Sequence, residues 1–197
     1  MRYIVIPVTP IRQNCTLIID EKTNRAAVSD PGGDIESIAA ELGRQGVELE
    51  RILVTHGHQD HCGRAKDLAD LFGVPIDGPH RDALPLVARL DFIPPYMPGL
   101  PRNRSFRPDR WLEQGDVIHV GSQKLQVFHC PGHTPGHVVY YDAPTGILIA
   151  GDVLFAGSIG RTDLPGSSYE SLERSIRENL YPLPSVTRNG RTRLYGP

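Results

Sequence analysis

Cysteine is scarce in this 197-residue chain: Cys15, Cys62 and Cys130 are the only three. An odd number, widely spaced in a chain of ordinary size, argues against a secreted disulfide framework and for a reducing compartment. No run of about 18 apolar residues occurs, so no membrane-crossing helix is expected. Pro7 interrupts the opening Met1–Val8 stretch too early for a secretory signal, and a cytoplasmic location is the expectation. Long basic runs are also missing. With 21 Lys and Arg against 23 Asp and Glu, the net charge is −2, so neither nucleic acid nor a membrane surface is an expected partner. What the chain does have is enough apolar residue, 39%, to build a core without covalent staples. A domain this long buries roughly 70% of its unfolded surface. One domain over residues 1–197 is therefore expected.

Hydrophobic periodicity predicts strands at Tyr3–Val8, Cys15–Asp20 and Arg25–Ser29, the last two joined through Glu21–Asn24. Asp30-Pro31-Gly32-Gly33 breaks this pattern. Ile35, Ile38, Ala39 and Leu42 then fall at helical spacing, closed by Gly43 or Gly46. Arg51–Thr55 is a short buried-type strand, and Ala65, Leu68, Ala69 and Phe72 mark a second helix ending at Gly73. The second half repeats the mixture, with strand-like runs at Val117–Val120, Lys124–His129, Val138–Asp142 and Ile147–Ala150. A last helix places Tyr169, Leu172, Ile176 and Leu180 on one face, with Ser167 and Glu170 as its capping box. Two sets of strands, each followed by helix, predict an α/β chain of two packed sheets with helices outside.

Residues 78–111 stand apart as an insertion with seven prolines and six arginines against three aspartates. Such a composition reads either as a rigid surface loop or as a lid over a site.

The chemistry concentrates at strand ends. Thr55-His56-Gly57-His58-Gln59-Asp60-His61 follows the Arg51–Thr55 strand. In extended backbone His56 and His58 point the same way and can meet on one ion, and a turn brings Asp60 and His61 to a second point. Imidazole with carboxylate suits zinc, and also iron or manganese. Cys130-Pro131-Gly132-His133-Thr134-Pro135-Gly136-His137 follows the next predicted strand, and Gly151-Asp152 follows Ile147–Ala150. They add another imidazole and a carboxylate able to bridge two ions.

In this order the three segments resemble the metallo-β-lactamase superfamily. The stretch Gly151–Asp163, with Gly160-Arg161-Thr162-Asp163 at its end, is similar to glyoxalase II-like hydrolases, particularly their short bacterial members. The resemblance implies a four-layer αββα sandwich with a metal site at one edge. It assigns His56, His58 and His133 to a first zinc ion, and Asp60, His61 and Asp152 to a second, with Asp152 bridging. It also implies hydrolysis of a small anionic thioester such as S-lactoylglutathione by metal-activated water, with Asp60 and Asp152 as the catalytic carboxylates. Arg161, Arg102, Arg104 and Arg107 are the candidates for attracting the substrate's negative charge. Cys62 and Cys130, beside the ligands, read as small core residues, and His137 as an orienting or packing residue.

The family pattern usually adds one more histidine after the last helix, whereas no histidine follows His137 and the tail 185–197 is atypical. A weakly held second ion is the expectation. His80, His119 and His129 do not match that position and read as ordinary surface or strand residues. The same features leave two other functions open. One is a mononuclear iron persulfide dioxygenase using His56, His133 and Asp152. The other is a non-catalytic metal-binding protein.

Overall fold

The computed structural model describes residues 1–92 and 103–184, together with the backbone of Arg193–Tyr195. The first sheet joins β1 (Arg2–Val8), β2 (Gln13–Asp20), β3 (Arg25–Ser29), β4 (Glu48–Leu53) and β5 (Ile76–Asp77) in chain order. The first three strands are antiparallel, and β3, β4 and β5 are parallel through the crossover helices α1 (Ile35–Gln45), α2 (Gln59–Cys62) and α3 (Ala65–Phe72). A short α4 (Leu84–Val87) follows. The second sheet is built from β6 (Val117–Val120), β7 (Gln123–His129), β8 (Val138–Asp142) and β9 (Ile147–Ile149). A small hairpin of β10 (Leu154–Phe155) and β11 (Ser158–Ile159) precedes α5 (Tyr169–Ser175), which runs on into a wider π turn at Ile176–Leu180. The last strand, β12 (Arg193–Tyr195), joins the second sheet beside β9, giving the order β12-β9-β8-β7-β6.

The alternation of side chains along each strand creates the layers. On β2, Leu17 and Ile19 pack with Ile38, Leu42 and Leu68 of the α1 and α3 side, whereas Ile18 faces the other sheet. On β8, Val138 and Tyr140 meet Ile18 and Leu53 between the sheets, whereas Val139 and Tyr141 pack with Leu172, Ile176 and Leu180. Three successive hydrophobic cores thus separate four layers, helix, sheet, sheet and helix, as the sequence pattern implies.

Several local expectations need correction. The fourth strand is Glu48–Leu53, not Arg51–Thr55: Val54 N–H still donates to the Asp77 carbonyl of β5, but Thr55 N–H turns to the Asp30 carboxylate. The cap of α5 is Ser168, whose Oγ accepts from Ser171 N–H, while Ser167 Oγ donates to the His133 carbonyl. Tyr169 is exposed rather than part of the buried stripe. The stretch 78–111 is not merely surface. Within its described part a short turn at Arg81–Ala83 leads into α4, Val87, Leu90 and Phe106 enter the first core, and Leu86 and Val87 pack on Gly57 of the histidine motif. The remainder of that stretch, and the tail apart from the β12 backbone, lie outside the described residues. Among the described residues no helix is long and apolar enough to cross a membrane.

Candidate metal centre

The site lies where β4 of one sheet and the ends of β7 and β9 of the other release their chains at a common edge. His56 and His58 follow β4, His61 lies on α2, His133 follows β7 and Asp152 follows β9. His56 Nε2 and His133 Nε2 lie 3.1 and 3.0 Å from His58 Nδ1. Nitrogens about 3.3 Å apart are what tetrahedral ligands of one zinc ion would show. His61 Nε2 is 3.1 Å from Asp152 Oδ1, and Asp152 Oδ2 is 3.3 Å from His133 Nε2. Asp152 therefore spans both clusters. Asp60 stands further out, its carboxylate 3.5 Å from His61 Nε2 and its side chain about one-third exposed at 34%.

The outward ring atoms fix which nitrogen faces inward. His133 Nδ1–H donates to the Arg161 carbonyl at 2.8 Å, which leaves its Nε2 lone pair for the site. His56 Nδ1 lies 3.1 Å from Thr55 Oγ1, whose hydroxyl donates to Asp30 Oδ2, so His56 Nδ1 carries the proton and Nε2 points inward. Asp30 Oδ2 also accepts from His61 Nδ1 at 3.0 Å. One buried carboxylate thus orients two imidazoles, and a carboxylate placed behind a ligating imidazole raises its basicity. Asp30 is a functional residue that sequence reasoning missed, since Asp30-Pro31-Gly32-Gly33 reads there only as a break. The available signal was an aspartate at the end of a buried strand followed by Pro-Gly-Gly. Its left-handed φ of 55° is a strained conformation for a non-glycine residue. Gly32 lets this loop approach the histidine motif, since a Cβ there would stand 1.5 Å from the Asp60 carbonyl.

His137 lies behind the cluster. It is fully buried, stacks on His56 with centroids 4.5 Å apart, and its Nε2 accepts from Asp152 N–H at 3.0 Å. It positions the Asp152 backbone, in keeping with an orienting residue. Cys62 and Cys130 are buried free thiols, and burial pushes both thiol pKa values up. For Cys62 the nearby carboxylates of Asp30 and Asp60 add to the effect of burial. Both cysteines are core residues rather than nucleophiles.

The electrostatics of the cluster fit a bound cation. Burial first, and then the neighbouring imidazoles, push His56 well below its ordinary pKa and bring His58 down to about 4. Both are held neutral, the form that ligates metal. His61 shows the opposite demand. Burial opposes its charge, yet the carboxylates of Asp152 and Asp30 raise it to about 10. Burial likewise opposes ionisation of Asp152, but His61 holds it at about 2. His61 Nε2 and Asp152 Oδ1 are buried and 3.1 Å apart, without an aligned hydrogen bond between them. Such a pair calls for positive charge, and the donor set of imidazoles and carboxylate suits a divalent ion of the zinc or iron class. Within this cluster two groups meet the spatial requirement for an ion, His56 with His58 and His133, and His56 with His61 and Asp152.

The candidate arginines are not brought together. The Arg161 guanidinium is exposed and forms a two-pronged pair with Asp163, while its carbonyl serves His133. Arg104 is paired with Asp67 and Asp70 of α3. Arg107 is exposed, and Arg102 lies outside the described residues.

A family model described as Metallo-beta-lactamase superfamily matches residues 8–186. The chain is 41% identical over 186 residues to hydroxyacylglutathione hydrolase GloC of Haemophilus influenzae, covering 91% of this chain and 84% of that one. Among solved structures, the BLEG-1 B3 metallo-beta-lactamase superposes with a TM-score of 0.85 at 32% identity, covering 100% of this chain and 92% of that one. TTHA1623 in a di-iron-bound form superposes with a TM-score of 0.72 at 33% identity, covering 89% and 84%.

Proposed function

The chain belongs to the metallo-beta-lactamase superfamily, and from that premise we propose that it is a metal-dependent hydrolase of a small thioester such as S-lactoylglutathione. The carrying observation is the cage itself. His58 Nδ1 has the Nε2 atoms of His56 and His133 within 3.1 Å, beside the His61 Nε2 and Asp152 Oδ1 pair, which lacks an aligned hydrogen bond. The thioester is supported by the likeness to the hydroxyacylglutathione hydrolase of Haemophilus influenzae.

In this reading His56, His58 and His133 would hold one ion, and His61, Asp152 and Asp60 a second. Zinc is the proposed metal, with iron as the alternative favoured by the di-iron form of a structural relative. A bound divalent ion supplies an acidified water, with a pKa of about 7, and polarisation of the substrate carbonyl. The side chains supply position. Asp152 holds the two clusters in register through its two carboxylate oxygens, and His137 fixes the turn that carries it. Asp60, at the solvent side, accepts a hydrogen bond from the attacking water and orients it toward the acyl carbon. The leaving thiolate needs little help, because a free thiol has a pKa of about 8.5 and departs more readily than an alkoxide.

The test is metal analysis of the purified protein with parallel assays of S-lactoylglutathione hydrolysis and of oxygen consumption with a glutathione persulfide. The expected result is hydrolysis that rises with occupancy by two ions. Oxygen uptake with a single iron would instead support the dioxygenase, and metal binding with neither activity would leave a binding protein.

A further inference from the structure

A second pair of histidines holds the loop that carries His133 from outside the metal cage. His80 follows β5 and His129 ends β7, far apart in the sequence, yet their rings stack with centroids 3.9 Å apart and planes 20° from parallel. His80 is buried and His129 half-buried, so the two are not the separate surface and strand residues that the sequence suggests. Both reach the loop 130–137. His129 Nε2–H donates to the Pro135 carbonyl at 2.9 Å, and the backbone N–H of His80 donates to the Gly136 carbonyl at 3.1 Å. Gly136 is pressed against the same turn, since a Cβ there would stand 2.3 Å from Ala83 N. Neither ring is hydrogen-bonded to a ligand of the proposed main centre.

The hydrogen bonds of the two rings fix their protonation in the closed contact. A carbonyl only accepts, so His129 carries its proton on Nε2 and leaves Nδ1 bare. His80 Nε2 donates to Glu113 Oε2 at 2.9 Å, and its Nδ1 accepts from Asp82 N–H at 3.2 Å. Both rings are therefore neutral when stacked. The charged groups around them come from three elements. Arg81 and Asp82 share the turn with His80, and Arg81 Nε donates to Glu113, which precedes β6. Arg174 and Glu178, from α5 and the turn after it, line a cavity together with His129. Burial pushes His129 below its ordinary pKa and His80 adds to this, against the pull of the Pro135 carbonyl, Asp82 and Glu113. Two imidazolium rings face to face at this separation would repel. A protonated His80 Nδ1 could also no longer accept from Asp82 N–H. The stack tolerates one proton but not two.

We propose that the His80–His129 stack is an acid-sensitive latch, which fastens the turn at His80–Ala83 to the loop 130–137 at neutral pH and opens as both rings take up protons. The sign follows from the proton count. Once apart, each ring binds a proton at about the ordinary histidine value of 6.5, whereas the closed stack refuses the second. The open form therefore holds more protons as pH falls through that value, so closure is complete above it and is lost below it. Opening loosens the bonds to Pro135 and Gly136, and with them the loop that carries His133. The latch is a property of the fold and stands whether or not the proposed thioester activity does.

The test uses the metal-loaded protein. The His129 ring is titrated by NMR in wild type and in His80→Gln, whose amide still donates to Glu113 but takes up no proton. The expected wild-type midpoint lies below the ordinary histidine value and rises towards it in the variant. Thermal midpoints are also compared at neutral pH and at about pH 5.5, one unit below that ordinary value. Wild type is expected to lose about 2 to 4 °C more in acid than either His80→Gln or His129→Gln. Acid loss at the main centre is common to all three proteins and cancels in this comparison. Should one variant fail to fold, the thermal comparison with the other decides. Either a His129 midpoint that His80→Gln leaves unmoved, or thermal losses that run parallel in wild type and variants, would overturn the proposal and leave the stack as a packing contact.

Discussion

Asp30 and His61 are joined by a 3.0 Å contact between Oδ2 and Nδ1, and this single bond decides which nitrogen of His61 faces Asp152. The same carboxylate holds Thr55 through both its N–H and its hydroxyl, and through Thr55 it reaches His56. One residue outside the metal cage thus sets the direction of a ligand on each side of it.

Replacing Asp30 by Asn removes the charge that steadies His61 and leaves an amide in place of a pure acceptor. Metal affinity is expected to fall by about 10- to 100-fold. Competition with a chelator of known affinity measures this, and an unchanged dissociation constant would remove Asp30 from the centre.

Asp152→Ala should empty both ion positions, because one carboxylate reaches towards both clusters. Metal content per chain is the readout. Loss of only one equivalent would confine Asp152 to a single ion.

Arg104→Gln is expected to change KM little at low and high salt, because its guanidinium is tied to Asp67 and Asp70 on α3 rather than free to meet substrate. Arg107→Gln, at an exposed position, should raise KM for an anionic thioester, and more so at low ionic strength where the field is least screened. Kinetics across a salt series separate the two.

Asp20 provides a pH dependence that belongs to the fold. Burial would raise its pKa, but donors from Ser122, Thr23 and Lys22 outweigh that and hold it well below the usual carboxylate range. A depressed folded value means that the stabilisation is complete above the ordinary carboxylate pKa of about 4 and is lost as pH falls towards the folded value. Asp20→Asn should therefore cost about 2 kcal/mol at neutral pH. The gap from wild type should narrow in acid. Urea unfolding at neutral pH and at successively lower pH values checks this, and a gap that stays constant would refute it.

The amino-acid sequence by itself determined the elements and the chemistry they carry. Alternation on Leu17, Ile18 and Ile19 and the helical spacing of Ile38 and Leu42 are local properties, legible because side-chain direction repeats with the backbone period. The same holds for His56, His58, Asp60 and His61, which are neighbours in the chain before they are neighbours in space. Only the tertiary structure decided that Asp30 turns His56 and His61, that His137 carries the Asp152 turn, that Arg104 is tied to α3, and that His80 stacks on His129. These relationships join residues from different strands and loops. They are set by how two sheets pack and where their edges meet, and no local period in the sequence encodes that distance.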